Sequence, residues 1–111
     1  MKVGLTPEAE HHIEAIDTWW QQNRESARDL FLEELALALQ SLASVPLTGR
    51  LYPIRGVRDA RRILLRSSRY HVYYRVARDT VTVVAVWSAI RGRGPTIRSL
   101  QASKPKRRRP S

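Results

Sequence analysis

Residues 61–91 read RRILLRSSRYHVYYRVARDTVTVVAVWSAIR, and the fold turns on them. β-branched and aromatic residues dominate this stretch, arginines recur through it, and it contains neither proline nor glycine. That composition suits pleated, half-buried strands. Strands are expected over about 60–66, 70–77 and 81–88. Ser67-Ser68-Arg69 and Arg78-Asp79-Thr80 have hairpin length and join them. In the middle strand the two faces separate cleanly. Tyr70, Val72, Tyr74 and Val76 face one way and are assigned to the core; His71, Tyr73 and Arg75 face the other. In the first strand Ile63 and Leu65 oppose Arg62, Leu64 and Arg66. In the third, Val81, Val83, Ala85 and Trp87 oppose Thr82, Val84, Val86 and Ser88. Both sets are apolar there, so alternation does not decide which face is inward.

Upstream of the strands the pattern is helical. Val3 and Leu5 suit a short first strand. Thr6-Pro7-Glu8 is a helix start: a hydroxyl cap, a proline where its missing N–H costs nothing, and an acid near the positive dipole end. Ala9, Ile13, Ile16 and Trp20 then recur at helical spacing, predicting an amphipathic helix over about 7–22. A second helix is expected over about 26–44, with Leu30, Phe31, Leu35, Leu39 and Leu42 on its main face. Leu32, Ala36 and Leu37 widen that stripe, which suits either packing on both sheet and first helix or a subunit contact. Pro46 ends the helix by steering Val45 out of the α region. Residues 47–59 read as loop. The architecture is therefore α+β: an N-terminal helical hairpin on one face of a small antiparallel sheet. Residues 1–98 are read as one domain, and residues 99–111 as a basic, disordered tail containing Lys104 and Arg109.

Composition narrows the function. The chain has 111 residues, no cysteine and a net charge of +10. Disulfides, thiolate metal sites and cysteine nucleophiles are thereby removed. No apolar run approaches membrane-spanning length and no secretory leader is visible, so a cytoplasmic protein without membrane partners is expected. Residues 1–49 carry three basic and eight acidic side chains, whereas residues 50–111 carry seventeen basic and two acidic. This asymmetry points to an anionic partner for the second half, against the plainer reading of a solubilising surface. Seventeen of the twenty cations are arginine, which favours bidentate contacts with phosphate or carboxylate.

Chemistry has few candidates. His11 and His12 are neighbours and His71 lies on a strand, so no metal-ligand spacing arises, and no cofactor is implied. No nucleophile elbow or phosphate-cradling glycine loop is present. What remains is a basic and aromatic face. Arg61, Arg62, Arg66, His71, Tyr73, Arg75 and Arg91 are the candidate binding surface, with Arg62, His71, Tyr73 and Arg91 as the candidate catalytic set. Arginines beside rings suit RNA, and two arginines with a proton-transfer group would cleave it without metal. The same face suits an acidic peptide.

The residues that carry this reading resemble a known family. Thr6-Pro7-Glu8-Ala9, Ile13, Ile16, Trp19-Trp20, Phe31, Leu35, Arg61-Arg62-Ile63-Leu64-Leu65, Tyr70-His71-Val72-Tyr73-Tyr74-Arg75-Val76, Val86-Trp87 and Arg91-Gly92 are similar to the RelE/ParE toxins of bacterial type II toxin–antitoxin modules, once called plasmid stabilisation proteins. The resemblance spans roughly residues 3–95. It implies a toxin neutralised by a cognate antitoxin, in a toxin–antitoxin hetero-oligomer, with DNA gyrase or ribosome-bound mRNA as target. Under the RelE-like alternative, Arg61 or Arg62 and Arg91 stand in for that type's arginines. Residues 47–60 contain no lysine, nothing after Tyr74 is tyrosine or histidine, and Ser88 follows Val86-Trp87 where histidine is often found. These departures point to a ParE-like gyrase inhibitor or to a member that only binds its antitoxin.

Overall fold

The computed structural model describes residues 1–90, so Arg91 and the basic tail lie outside the described residues. Strand β1 (Lys2–Leu5) leads into helix α1 (Pro7–Asn23). A single 3-10 turn, Glu25–Ala27, connects to helix α2 (Leu30–Ser44). A second 3-10 turn, Pro46–Thr48, then strands β2 (Arg50–Leu51), β3 (Arg61–Leu65), β4 (Tyr70–Ala77) and β5 (Thr80–Ser88) follow among the described residues. The five strands form one sheet in the order β1-β5-β4-β3-β2. Its four C-terminal strands are antiparallel, as expected. The sheet as a whole is mixed, because β1 lies parallel to β5. No helix of the described residues is long and apolar enough to cross a membrane.

The local signals act as the sequence suggests. Thr6 caps α1, its hydroxyl accepting the Ala9 N–H at 3.1 Å. Helix α2 starts at Leu30 rather than Ser26. Asp29 takes a non-helical conformation before it, and the Gln21 amide donates to the Arg28 carbonyl and the Asp29 carboxylate, holding the turn together. Thr80, expected in the second turn, begins β5 opposite Ala77. The tight turns are reached by arginines in the left-handed region, Arg69 at φ 69° and Arg78 at φ 58°.

One face of the sheet carries the main core. Val72, Tyr74, Val81, Val83 and Val86 meet Ala9, Trp20, Phe31, Leu35 and Leu42 of the helices. The expected inward set of β4 is confirmed, with Tyr70 receiving a hydrogen bond from Trp20 Nε1 at 3.2 Å and packing edge-on against Phe31. Leu32 and Leu37 of the widened stripe stay exposed among the described residues. In β5 the ambiguity of the sequence has a physical cause. Tyr73 pairs with Ala85 and Tyr74 with Val83, so Val84 is an extra residue, a β-bulge. Before it, odd positions face the helices; after it, even ones do. The helix-facing apolar residues of β5 therefore occupy both parities, and Val84, Ala85 and Trp87 are covered on the other face.

Two contacts tie the layers together. The Glu34 carboxylate of α2 accepts from the Ser67 and Ser68 N–H groups, both at 2.8 Å, and from the Ser68 hydroxyl at 2.7 Å. Burial alone would raise the Glu34 pKa, but these hydrogen bonds outweigh it and hold the carboxyl below its ordinary value. Such a carboxylate stabilises the fold above its unfolded pKa and stops doing so as pH falls through the lower folded one. Tyr74, on the same side, donates to the Pro46 carbonyl at 2.8 Å and accepts the Gly49 N–H at 2.8 Å. Gly49 is required by space: a Cβ there would stand 2.5 Å from the Tyr74 hydroxyl and 2.9 Å from the Arg62 carbonyl.

Gly49→Ala is therefore expected to lower stability by about 2 kcal/mol, since it overpacks a buried site and displaces a buried hydroxyl from its partners. Urea denaturation measures this directly. Glu34→Gln should flatten the stability profile as pH falls below the ordinary carboxyl value of 4.5, where the parent chain loses this contribution on acidification; an unchanged profile would mean that Glu34 does not contribute to it.

Candidate functional site

The face of the sheet turned away from the helices is built by strand register. Residues directly opposite one another share a face. Arg50, Arg62, Tyr73 and Ala85 form one row across β2, β3, β4 and β5; Leu64, His71 and Trp87 form the next. Arg75 follows two residues beyond Tyr73, opposite Thr82.

This face is not bare. Residues after β2 fold back over it, and Tyr52, Ile54, Val57 and Ala60 pack with Tyr73, Val84, Ala85 and Trp87 as a second small core. Nothing periodic marked this segment as apolar cover, since Pro53, Arg55, Gly56 and Arg58 interrupt it. Tyr73, expected at the surface, is 0% exposed. Its ring stands edge-on to Tyr52 at 5.2 Å and to His71 at 5.9 Å. Arg62 lies over the Tyr52 ring, 4.4 Å from its centroid, and donates to the Tyr73 hydroxyl at 3.5 Å. The structure thus brings Arg62, His71 and Tyr73 together and adds Tyr52, which the sequence reading did not single out.

Other candidates separate. Arg61 is next to Arg62 on a strand and so points to the opposite face. Its guanidinium donates to the Gly49 carbonyl at 2.7 Å and the Leu47 carbonyl at 3.4 Å, holding the loop after α2. It is a structural residue, not a member of the basic face. Arg66 is exposed in the β3–β4 turn. Arg75 is half-buried, and its Nε has no hydrogen-bond partner among the described residues. Arg91 lies outside them.

The surroundings set the protonation states of Tyr73 and His71. Burial pushes the Tyr73 pKa up, and neighbouring Tyr52 adds to this, against the opposing hydrogen bond and charge of Arg62. Tyr73 is thereby a neutral donor and a poor base. Burial lowers the His71 pKa and the Arg62 charge lowers it further, so His71 is neutral at pH 7. Among the described residues, no group of three histidine or acidic side chains could hold a metal ion.

A model of the family described as the ParE toxin of the type II toxin–antitoxin system, parDE, matches residues 3–91. The chain belongs to this family. It is accordingly a toxin of the RelE/ParE type. No curated protein matches it. Among solved structures, one similar chain comes from the intact E. coli RelBE toxin–antitoxin complex, at 22% identity and a TM-score of 0.46, with 79% of this chain and 95% of that one covered. Another is a mutant of the E. coli toxin RelE in the free state, at 22% identity and a TM-score of 0.45, with 96% and 95% covered.

In this ParE-family chain, Arg62→Met keeps an apolar stem over Tyr52 but removes the charge. The His71 pKa is expected to rise, measurable by following its ring resonances through a pH titration; no rise would mean that Arg62 does not act on His71.

Proposed function

We propose that this toxin is a ParE-like inhibitor of DNA gyrase, held inactive by a cognate antitoxin whose acidic segment lies on its sheet and helices. The match of the ParE family model over residues 3–91 carries this reading. The site supports it. Tyr73 is sealed from solvent and Arg62 is committed to Tyr52 and Tyr73, so the face suits contact with an anionic partner more than proton transfer. Toxin and antitoxin would form a hetero-oligomer in the bacterial cytoplasm. Half-buried Arg75, exposed Arg66 and the partly exposed edge of Arg62 would supply the contacts, and Arg91, outside the described residues, is a further candidate from the sequence.

One observation favours a second reading, a RelE-like, ribosome-dependent and metal-independent mRNA endoribonuclease. Arg62 acts on His71, which is half-buried and neutral at pH 7, the state a general base requires. Arg62 and Arg91 would then hold phosphate, and His71 or Tyr73 would move the proton.

Purified gyrase and a translation extract with a defined mRNA separate the two. The expected result is loss of supercoiling with the mRNA intact, relieved by the antitoxin. Cleavage of the mRNA at the ribosome, reduced roughly 100-fold or more by Arg62→Ala, would overturn the first reading and support the second.

A further inference from the structure

Strand β1 runs beside β5 only as far as Leu5 opposite Val83, the residue before the bulge. Beyond it, β5 continues to Ser88 with no strand on that side among the described residues. An edge of this kind exposes backbone donors and acceptors. Here α1 meets them with side chains. The Thr6 hydroxyl reaches the Val84 carbonyl at 3.5 Å. His12, one and a half turns further along, accepts the Val86 N–H on Nδ1 at 3.2 Å. Its Nε2 stands 3.7 Å from the Glu8 carboxylate, and its ring packs edge-on against Trp87 at 5.4 Å. The partners assign the tautomer. Nδ1 must carry a lone pair to accept, so the proton of the neutral ring is on Nε2, facing Glu8.

We propose that His12 is a pH-sensitive latch that holds α1 on the edge of β5 beyond β1, and that protonating it releases the Val86 N–H and loosens the groove beside it. The geometry requires this competition. A second proton sits on Nδ1, opposite a backbone donor, and the hydrogen bond is replaced by two donors facing each other. The cationic ring then has one favourable partner, the Glu8 carboxylate on the same helix.

The groove next to the latch has a volume of about 490 Å³ and is lined by His12, Ile16, Trp19, Tyr70 and Trp87. Among the described residues, the groups facing His12 are few. Glu8 and His11 are on its own helix; β5 presents Val86, Trp87 and Ser88, which carry no charge; β4 presents Tyr70, whose hydroxyl is engaged by Trp20. Burial lowers the His12 pKa and the neighbouring His11 lowers it further. For a histidine with a depressed folded pKa, the closed latch is complete above the ordinary value of 6.5 and is lost as pH falls through the lower folded value.

The test follows the amide protection of Val86 by hydrogen exchange, with the His12 ring nitrogens read by NMR in the same pH series on the full chain. Protection at Val86 is expected to fall about five- to tenfold as His12 titrates, while central β4 amides such as that of Val72 keep theirs. His12→Asn places an amide oxygen near the Nδ1 position and does not titrate, so its Val86 protection should be independent of pH; His12→Ala should show low protection throughout. Constant Val86 protection across the His12 titration of the unaltered chain would overturn the proposal, whether or not the variants fold. So would an Asn variant whose protection falls with pH as the parent's does.

Discussion

The extra residue in β5 is the constraint on which both faces of the sheet depend. Side chains along a strand alternate strictly, so a nine-residue strand without interruption offers each face one fixed set of positions. Val81 and Val83 are needed against the helices, and so is Val86, which has the wrong parity to join them. The bulge at Val84 reconciles the three. It also places Val84 and Ala85 together on the opposite face, where they floor the second core, and leaves Trp87 beside His71. Regular alternation along the same nine residues would put Val86 on the second face and turn Trp87 toward the helices. Pairing with β1 ends at the same point, and from there Thr6 and His12 serve the edge that a strand would otherwise cover.

Two consecutive tyrosines exploit that arrangement from opposite sides. Tyr73 and Tyr74 are both fully buried, and a buried hydroxyl needs a partner. Tyr74 finds the Pro46 carbonyl and the Gly49 N–H, at the start of the long connection between α2 and β3. Tyr73 finds Arg62, just past its end, and packs on Tyr52 in its middle. The connection is therefore clamped on both faces of the sheet by neighbouring residues of β4. Arg61, reaching across to the Gly49 carbonyl, closes the same clamp from β3.

How much of this was legible depends on whether a local rule governed it. Thr6 and Pro7 mark a helix start by their own chemistry, and the alternation of Tyr70, Val72, Tyr74 and Val76 against His71 and Arg75 names the inward face of β4. The opposite orientations of Arg61 and Arg62 follow from the same period of two, though grouping arginines by charge alone hides it. The bulge was not legible, because Val and Ala fill both parities of β5 and no glycine or polar residue marks the extra position. The second core was hidden for another reason. Tyr52, Ile54, Val57 and Ala60 have no regular spacing, and only the folded-back path of the connection brings them over Tyr73.

Charge divides between the layers in the same way. Acidic residues of the helical half are spent partly inside the fold: Glu34 holds the β3–β4 turn, and Glu8 lies beside His12. Among the described residues, the sheet's second face does not pair Arg50 or Arg62 with a carboxylate. Arg50 and Arg62 stand directly opposite one another on β2 and β3, a pairing that repels. The Tyr52 ring offsets part of this by offering its negative face to Arg62, and no carboxylate of the described residues forms an ion pair with either arginine. Of the two, Arg62 is held in place by the Tyr52 ring and the Tyr73 hydroxyl, whereas the exposed Arg50 can turn toward solvent, where water screens the repulsion.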